Sequence, residues 1–117
     1  MILYRPVGTA ELDLIKQSGY KAFPPRLPEQ PIFYPVLNEK YAREIAKRWN
    51  VKDTPDHKGH VTRFEVDDEY CSQYETHVVG RSYHRELWIP AEKLDEFNEH
   101  IIGNIEVIFT YNEEERS

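Results

Sequence analysis

The chain has 117 residues, 39% of them hydrophobic and 31% charged, with eight Tyr, five Phe and two Trp and a formal net charge of −6. That length fits one domain with one core, and so many aromatic residues exclude a disordered chain. The acidic balance argues against broad nucleic-acid binding, which draws its affinity from Lys and Arg on phosphates. Part of the excess sits in the C-terminal NEEERS, so the body of the protein still has room for a small basic pocket.

Cys71 is the only cysteine. It excludes an internal disulfide and a cysteine-rich zinc module, and it fits a reducing compartment. The N-terminus has neither the basic start nor the apolar run of a signal peptide, and no stretch approaches the ~18 apolar residues of a membrane span. A cytoplasmic protein with no membrane partner is expected.

Residues 2–7 read as a short strand, followed by a helix from Thr9, the expected N-cap, to residue 18, with Leu12 and Ile15 on one face and Gly19 as the stop. Residues 22–31 carry Pro24, Pro25, Pro28 and Pro31, which deny donors to any ladder and predict a stiff surface loop. Residues 32–37 are strand-like. Asn38 then caps the clearest helix, in which Tyr41, Ala42, Ile45, Ala46 and Trp49 share one face.

A polar loop over residues 50–59 leads to an alternating strand at 60–66, a turn or short helical segment at DDEYCSQY, and a strand at 76–79 ended by Gly80. Residues 84–90 form a further strand, and Leu94, Phe97 and Ile101 mark a short helix or turn. Ile105, Val107, Phe109 and Tyr111 alternate as a half-buried strand. The order β-α-β-α-β-β-β-α-β predicts a single α+β domain over residues 1–111, with a split or mixed, mostly antiparallel sheet and flanking helices, before an acidic tail at 112–117. A doubly wound parallel sheet is disfavoured, since no GxGxxG or GxxxxGK[ST] follows a strand.

The chemistry centres on SYHRELWIP. A carboxylate, Glu86, stands directly before Leu87, Trp88 and Ile89, where it is costly to desolvate unless something pairs with it or uses it. Strand alternation puts His84, Glu86 and Trp88 on one face. The plain alternative is an edge-strand carboxylate paired with a Lys or Arg. Arg5, within the apolar first strand, must point to solvent or find an anion, for which a phosphate or carboxylate is the best partner. Tyr34, beside Phe33, is either core or a flat face on which an aromatic ring or cation stacks.

Taken together, these features resemble the ADP-ribosyltransferase superfamily. A first strand with YR, the helix ELDLIKQSGY, a second strand with an aromatic, the helix NEKYAREIAKRW and a late strand opening with Glu before apolar residues and IP occur in the family's order over residues 2–90. The chain is also similar to short bacterial proteins related to ADP-ribosylation, through LYRPVG, AFPPRLPEQPIFYPVLN and ELWIP. The resemblance implies an NAD-binding cleft in which Glu86 is the catalytic glutamate, Arg5 holds a ribose or phosphate of NAD, and Tyr34 packs on nicotinamide.

It further implies that Arg26 in the proline-rich loop helps with phosphates. Tyr41 is read first as core and second as a ring-packing group. His84, two positions before the glutamate, is read as a general base or as a hydrogen-bond partner of Glu86. The reaction expected from the resemblance is cleavage of the nicotinamide glycosidic bond, with transfer to a protein or nucleic-acid acceptor, or hydrolysis. The chain lacks the Ser-Thr-Ser motif and is short for a complete transferase, so a non-catalytic, antitoxin-like or immunity-like interaction module is the alternative. No metal is expected, because His57, His60, Cys71, His77, His84 and His100 have no zinc spacing. Acids beside Cys71 argue against a reactive thiol.

Overall fold

The computed structural model describes residues 1–112, Asp53 by its backbone alone; the expected acidic tail lies outside the described residues except for Asn112, which ends the last strand. The chain forms an α+β fold in which every strand pairing is antiparallel. Strand β1 (Ile2–Val7) leads into α1 (Thr9–Gln17), then come β2 (Ile32–Phe33), α2 (Glu39–Ile45) and α3 (Val51–Asp53). After these follow β3 (Lys58–Val66), α4 (Asp68–Cys71), β4 (Thr76–Val78), β5 (Arg85–Leu87), β6 (Ile89–Pro90), α5 (Leu94–Glu99) and β7 (Ile101–Asn112). No helix among the described residues is long and apolar enough to cross a membrane.

β3 lies between β1 and β7. Residues 35–37 extend this sheet toward the β4–β5 hairpin. Val36 exchanges both backbone hydrogen bonds with Tyr4 of β1 (2.8 and 2.9 Å), while Pro35 accepts from the Leu87 N–H and the Leu37 N–H donates to Arg85 on the other side (2.9 and 3.0 Å). The strands expected at 32–37 and 84–90 are each broken, yet they keep one register: Ile32 faces Pro90, Phe33 faces Ile89 and Val36 faces Glu86. Proline explains the break. Pro35 takes one hydrogen bond from Leu87 and has no N–H to return.

Pro6 does the same on the β1 side. In an antiparallel ladder the bonded pair after Tyr4 and Val36 would be Pro6 and Tyr34, and Pro6 has no N–H to give. The two segments therefore part after Tyr4. The gap that opens between Pro6 and Tyr34 becomes the cleft described below.

The main core lies under α1, α4 and α5. Phe33, Phe64 and Phe97 are almost fully buried, and Phe23 packs against Phe33 and Phe64 at centroid distances of 5.1 and 4.8 Å. A smaller cluster of Val36, Ala42, Ala46 and Val61 lies beneath α2. Asn38 caps α2 as expected, its side chain accepting from the Tyr41 N–H at 2.8 Å.

Four local expectations are corrected. Thr9 is not a cap but the first helical residue, following Gly8, and its hydroxyl bonds His60 Nε2 at 2.8 Å. The loop expected from residue 50 starts later, because α2 runs through a π-helical turn (Ala46–Asn50) into α3. That turn inserts one residue and rotates the following side chains around the axis. Trp49, expected on the core face, is consequently 61% exposed. In β7, Val107 and Phe109 are exposed although Ile105 is buried: Ile105 lies in the irregularity opposite Arg63–Glu65, its N–H donating to the Tyr20 carbonyl at 2.7 Å, and a second shift at Ile108 separates Val107 from Phe109.

Candidate functional site

The parted strands border a cleft of about 490 Å³, within the size range of small-molecule sites. Arg5 and Pro6 line it from β1, and Tyr34 and Val36 from the facing segment. Tyr41, Ile45, Trp49 and Asn50 line it from α2 and the π-turn, and Glu86 and Trp88 from the strands at 85–90. Four of the six residues singled out in the sequence, Arg5, Tyr34, Tyr41 and Glu86, thus share one cavity. His84 and Arg26 are not part of its lining.

Glu86 is 9% exposed. Neither Lys nor Arg pairs with it among the described residues, which corrects the edge-strand ion-pair reading. Two neutral donors hold it instead. Trp88 Nε1–H donates to Oε1 at 2.7 Å, as strand alternation places them on one face, and the Tyr41 hydroxyl donates to Oε2 at 3.2 Å. A buried carboxylate with satisfied oxygens but no cation keeps its negative charge available to a ligand, because hydrogen bonds from neutral groups fix its position without neutralising it.

Each donor has a histidine against its ring. His77, opposite Glu86 across the β4–β5 ladder, stacks on Trp88 at 3.8 Å with ring planes 10° apart. His84 stacks on Tyr41 at 4.5 Å and 22°. The expected bond between His84 and Glu86 is not formed. His84 Nδ1 accepts from the Arg81 N–H at 3.1 Å and Nε2 donates to Glu44 at 3.0 Å, so both ring nitrogens are occupied and the ring serves as a backing plate for Tyr41. The Tyr83 hydroxyl also donates to Glu44, and this bond, followed by that from His84, holds the Glu44 carboxyl below its usual range. Tyr41 packs, half-buried, against the cluster of Val36, Ala42, Ala46 and Val61 and also lines the cleft. Burial, then the charge and hydrogen bond of Glu86, push its hydroxyl up to about 12, which keeps it a donor across the ordinary pH range.

Arg5 is 8% exposed and shares the inward face of β1 with Leu3 and Val7. It finds its anion within the protein: Nε and Nη2 donate to Glu11 in the first turn of α1 at 2.7 and 3.1 Å. The guanidinium also lies 4.6 Å from the centre of the Phe33 ring. Nη1 has no acceptor among the described residues. Arg26 donates from Nε to the Ile32 carbonyl at 3.1 Å. Its pKa is lowered by burial and then by the charge of Arg5, so two guanidiniums lie within electrostatic reach, with Glu11 and then Tyr34 acting in the opposite direction. Tyr34 is 38% exposed and meets Trp88 edge to face at 6.1 Å, which makes it a rim residue rather than core.

The sequence reading missed Trp49, Asn50 and His77. Trp49 and Asn50 owe their places to the π-turn, which leaves no mark in AKRWN. His77 was legible only through the hairpin register that sets it opposite Glu86. No group of three His, Cys, Asp or Glu among the described residues is arranged to hold a metal ion. Cys71 is buried, and that burial pushes its thiol up to about 11, leaving it unreactive. No protein-family model matches the chain, and neither a curated protein nor a solved structure matches it.

Proposed function

We propose that the cleft binds NAD as a substrate in the manner of an ADP-ribosyltransferase-like protein, and that Glu86 promotes cleavage of the bond between nicotinamide and ribose. One observation carries the reading: a buried, cation-free carboxylate held by two neutral donors in a cleft whose rim is aromatic and whose β1 edge is cationic. Each part suits a part of that substrate. Tyr34, Trp49 and Trp88 offer rings to flat bases, and Arg5 offers positive charge to a pyrophosphate, with Arg26, outside the lining, adding to it at longer range.

The bond between ribose C1′ and the pyridinium nitrogen breaks with its electron pair going to the nitrogen, so nicotinamide leaves neutral. Positive charge builds on the ribose, and Glu86 stabilises it while accepting from a ribose hydroxyl. Water or an acceptor nucleophile then bonds to C1′ and releases its proton. Because Glu11 already occupies two donors of Arg5, a phosphate reaches that guanidinium through Nη1 or by displacing Glu11.

The test is to incubate the protein with NAD and follow free nicotinamide by chromatography, alongside Glu86→Gln. Fixed charge of this kind is worth on the order of a hundredfold in rate, so the substitution should remove nearly all release while leaving thermal stability close to wild type. Absence of both nicotinamide release and any thermal shift with NAD would sink the reading and favour a non-catalytic interaction module.

A further inference from the structure

Among the described residues, Asn50 Oδ1 is the one buried side-chain polar atom without a hydrogen-bond partner, and Asn50 lines the cleft. Its side-chain amide makes no hydrogen bond to any described residue; only its backbone carbonyl is used, by the Thr54 hydroxyl at 2.7 Å. Folded proteins satisfy nearly all such groups, so one left over in a cavity wall points to a role outside the fold.

The backbone around Asn50 is held firmly. It closes the π-turn, where the Val51 N–H reaches back to the Ala46 carbonyl, and β3 crosses that turn at Gly59. A Cβ on Gly59 would stand 2.6 Å from the Ala46 carbonyl oxygen and 2.9 Å from Asn50 Cβ, so only glycine allows so close a crossing. A fixed backbone thus carries an amide that no protein donor or acceptor pins; Oδ1 is covered in the empty cleft, and rotation about the side-chain bonds brings the oxygen to the cleft beside the NH₂.

We propose that Asn50 is a specificity-determining residue that reads a ligand edge presenting an N–H donor beside an acceptor. A primary amide is complementary to such an edge in two hydrogen bonds, as in pairings of Asn with adenine. This rests on the NAD reading above, in which two parts of the substrate have the required edge, the nicotinamide carboxamide and the aminopurine. The neighbouring Trp49 ring suits either as a stacking surface.

Calorimetric titration of wild type and Asn50→Ala with three ligands separates the outcomes: NAD, its nicotinic acid counterpart and its hypoxanthine counterpart. Asn50→Ala should weaken NAD binding on the order of tenfold, the usual effect of leaving ligand polar groups unpaired. For the analogue that lacks the edge Asn50 reads, wild type and variant should bind alike, and which analogue this is identifies carboxamide or purine. Asn50→Asp, which keeps the shape and loses the donors, should also weaken NAD, so the result does not depend on how the alanine variant folds. Equal affinity of wild type and both variants for NAD, or one uniform loss across all three ligands, overturns the assignment while leaving NAD binding intact. A wild type that fails to bind NAD overturns both readings.

Discussion

On the α1 and α5 side of the sheet, Phe23, Phe33, Phe64 and Phe97 interlock at tilted and edge-to-face angles, and aliphatic side chains fill the spaces between them. On the α2 side, a thin cluster of valines and alanines lies under a helix with an irregular turn, next to a buried carboxylate and an unpaired amide. The first region has the composition of a core that stabilises. The second holds polar groups in positions that cost stability, which proteins tolerate mainly where a ligand uses them. The contrast teaches that the two faces answer to different demands, and substitutions on each should give different signatures.

The largest expected effect is on the first face. Phe97→Ala should lower stability by about 3–5 kcal/mol, seen in the denaturant midpoint, because it opens a cavity among rings that cannot collapse. Trp49→Ala, on the exposed rim of the second face, should stay within about 0.5 kcal/mol of wild type in the same measurement while weakening nucleotide binding. Equal losses from the two would erase the contrast.

Next come the donors to Glu86. Tyr41→Phe and Trp88→Phe each remove one hydrogen bond to a charged group while keeping a ring in place. Each should lower the rate of nicotinamide release by roughly ten- to hundredfold, corresponding to about 1.5–3 kcal/mol, with a small change in melting temperature. A variant with unchanged turnover would show that its donor does not hold the carboxylate in the working position.

Titration distinguishes the faces further. Burial lowers the His60 pKa from the ordinary 6.5, so the folded protein favours the neutral ring; that stabilisation is present above pH 6.5 and is lost as pH falls through the lower folded value. Wild type should therefore lose more melting temperature than His60→Gln between pH 7.5 and 5. Tyr41 acts with the opposite sign. Its pKa is raised from 10.0 to about 12, so its contribution is full below pH 10.0 and disappears as pH rises toward 12. Tyr41→Phe should flatten that alkaline loss.

The smallest effect is a gain. Asn50→Leu replaces an unpaired buried amide with apolar volume, so it should leave stability unchanged or raise it by up to ~1 kcal/mol in thermal melts, while NAD binding weakens. A clear destabilisation would make Asn50 an ordinary part of the fold.

The sequence made the α+β order legible because most elements follow single-period patterns: Asn38 caps its helix, Gly19 ends the first one at φ 75°, and Glu86 shares a face with Trp88. The convergence of Arg5, Tyr34 and Glu86 on one cavity was expected through the family resemblance alone, since strand position left each of them a plain structural alternative. What stayed hidden depends on insertions and on long-range register. One extra residue in the π-turn moved Trp49 outward and Asn50 into the cleft wall, and two register shifts in β7 broke the alternation that would have put Val107 and Phe109 with Ile105. The ion pair between Arg5 and Glu11 was hidden for another reason: it depends on how α1 folds back on β1, which periodicity does not report.

The most direct measurement uses the two indoles, since Trp49 and Trp88 are the only tryptophans and both line the cleft. A nitrogen-15 spectrum should show two Nε1–H resonances, the one from Trp88 displaced downfield by its bond to Glu86 and moved upfield in Glu86→Gln. Adding NAD should shift both in a saturable manner. Indole resonances that ignore saturating NAD, or a Trp88 resonance unmoved by the loss of the carboxylate, would contradict a nucleotide cleft organised around Glu86.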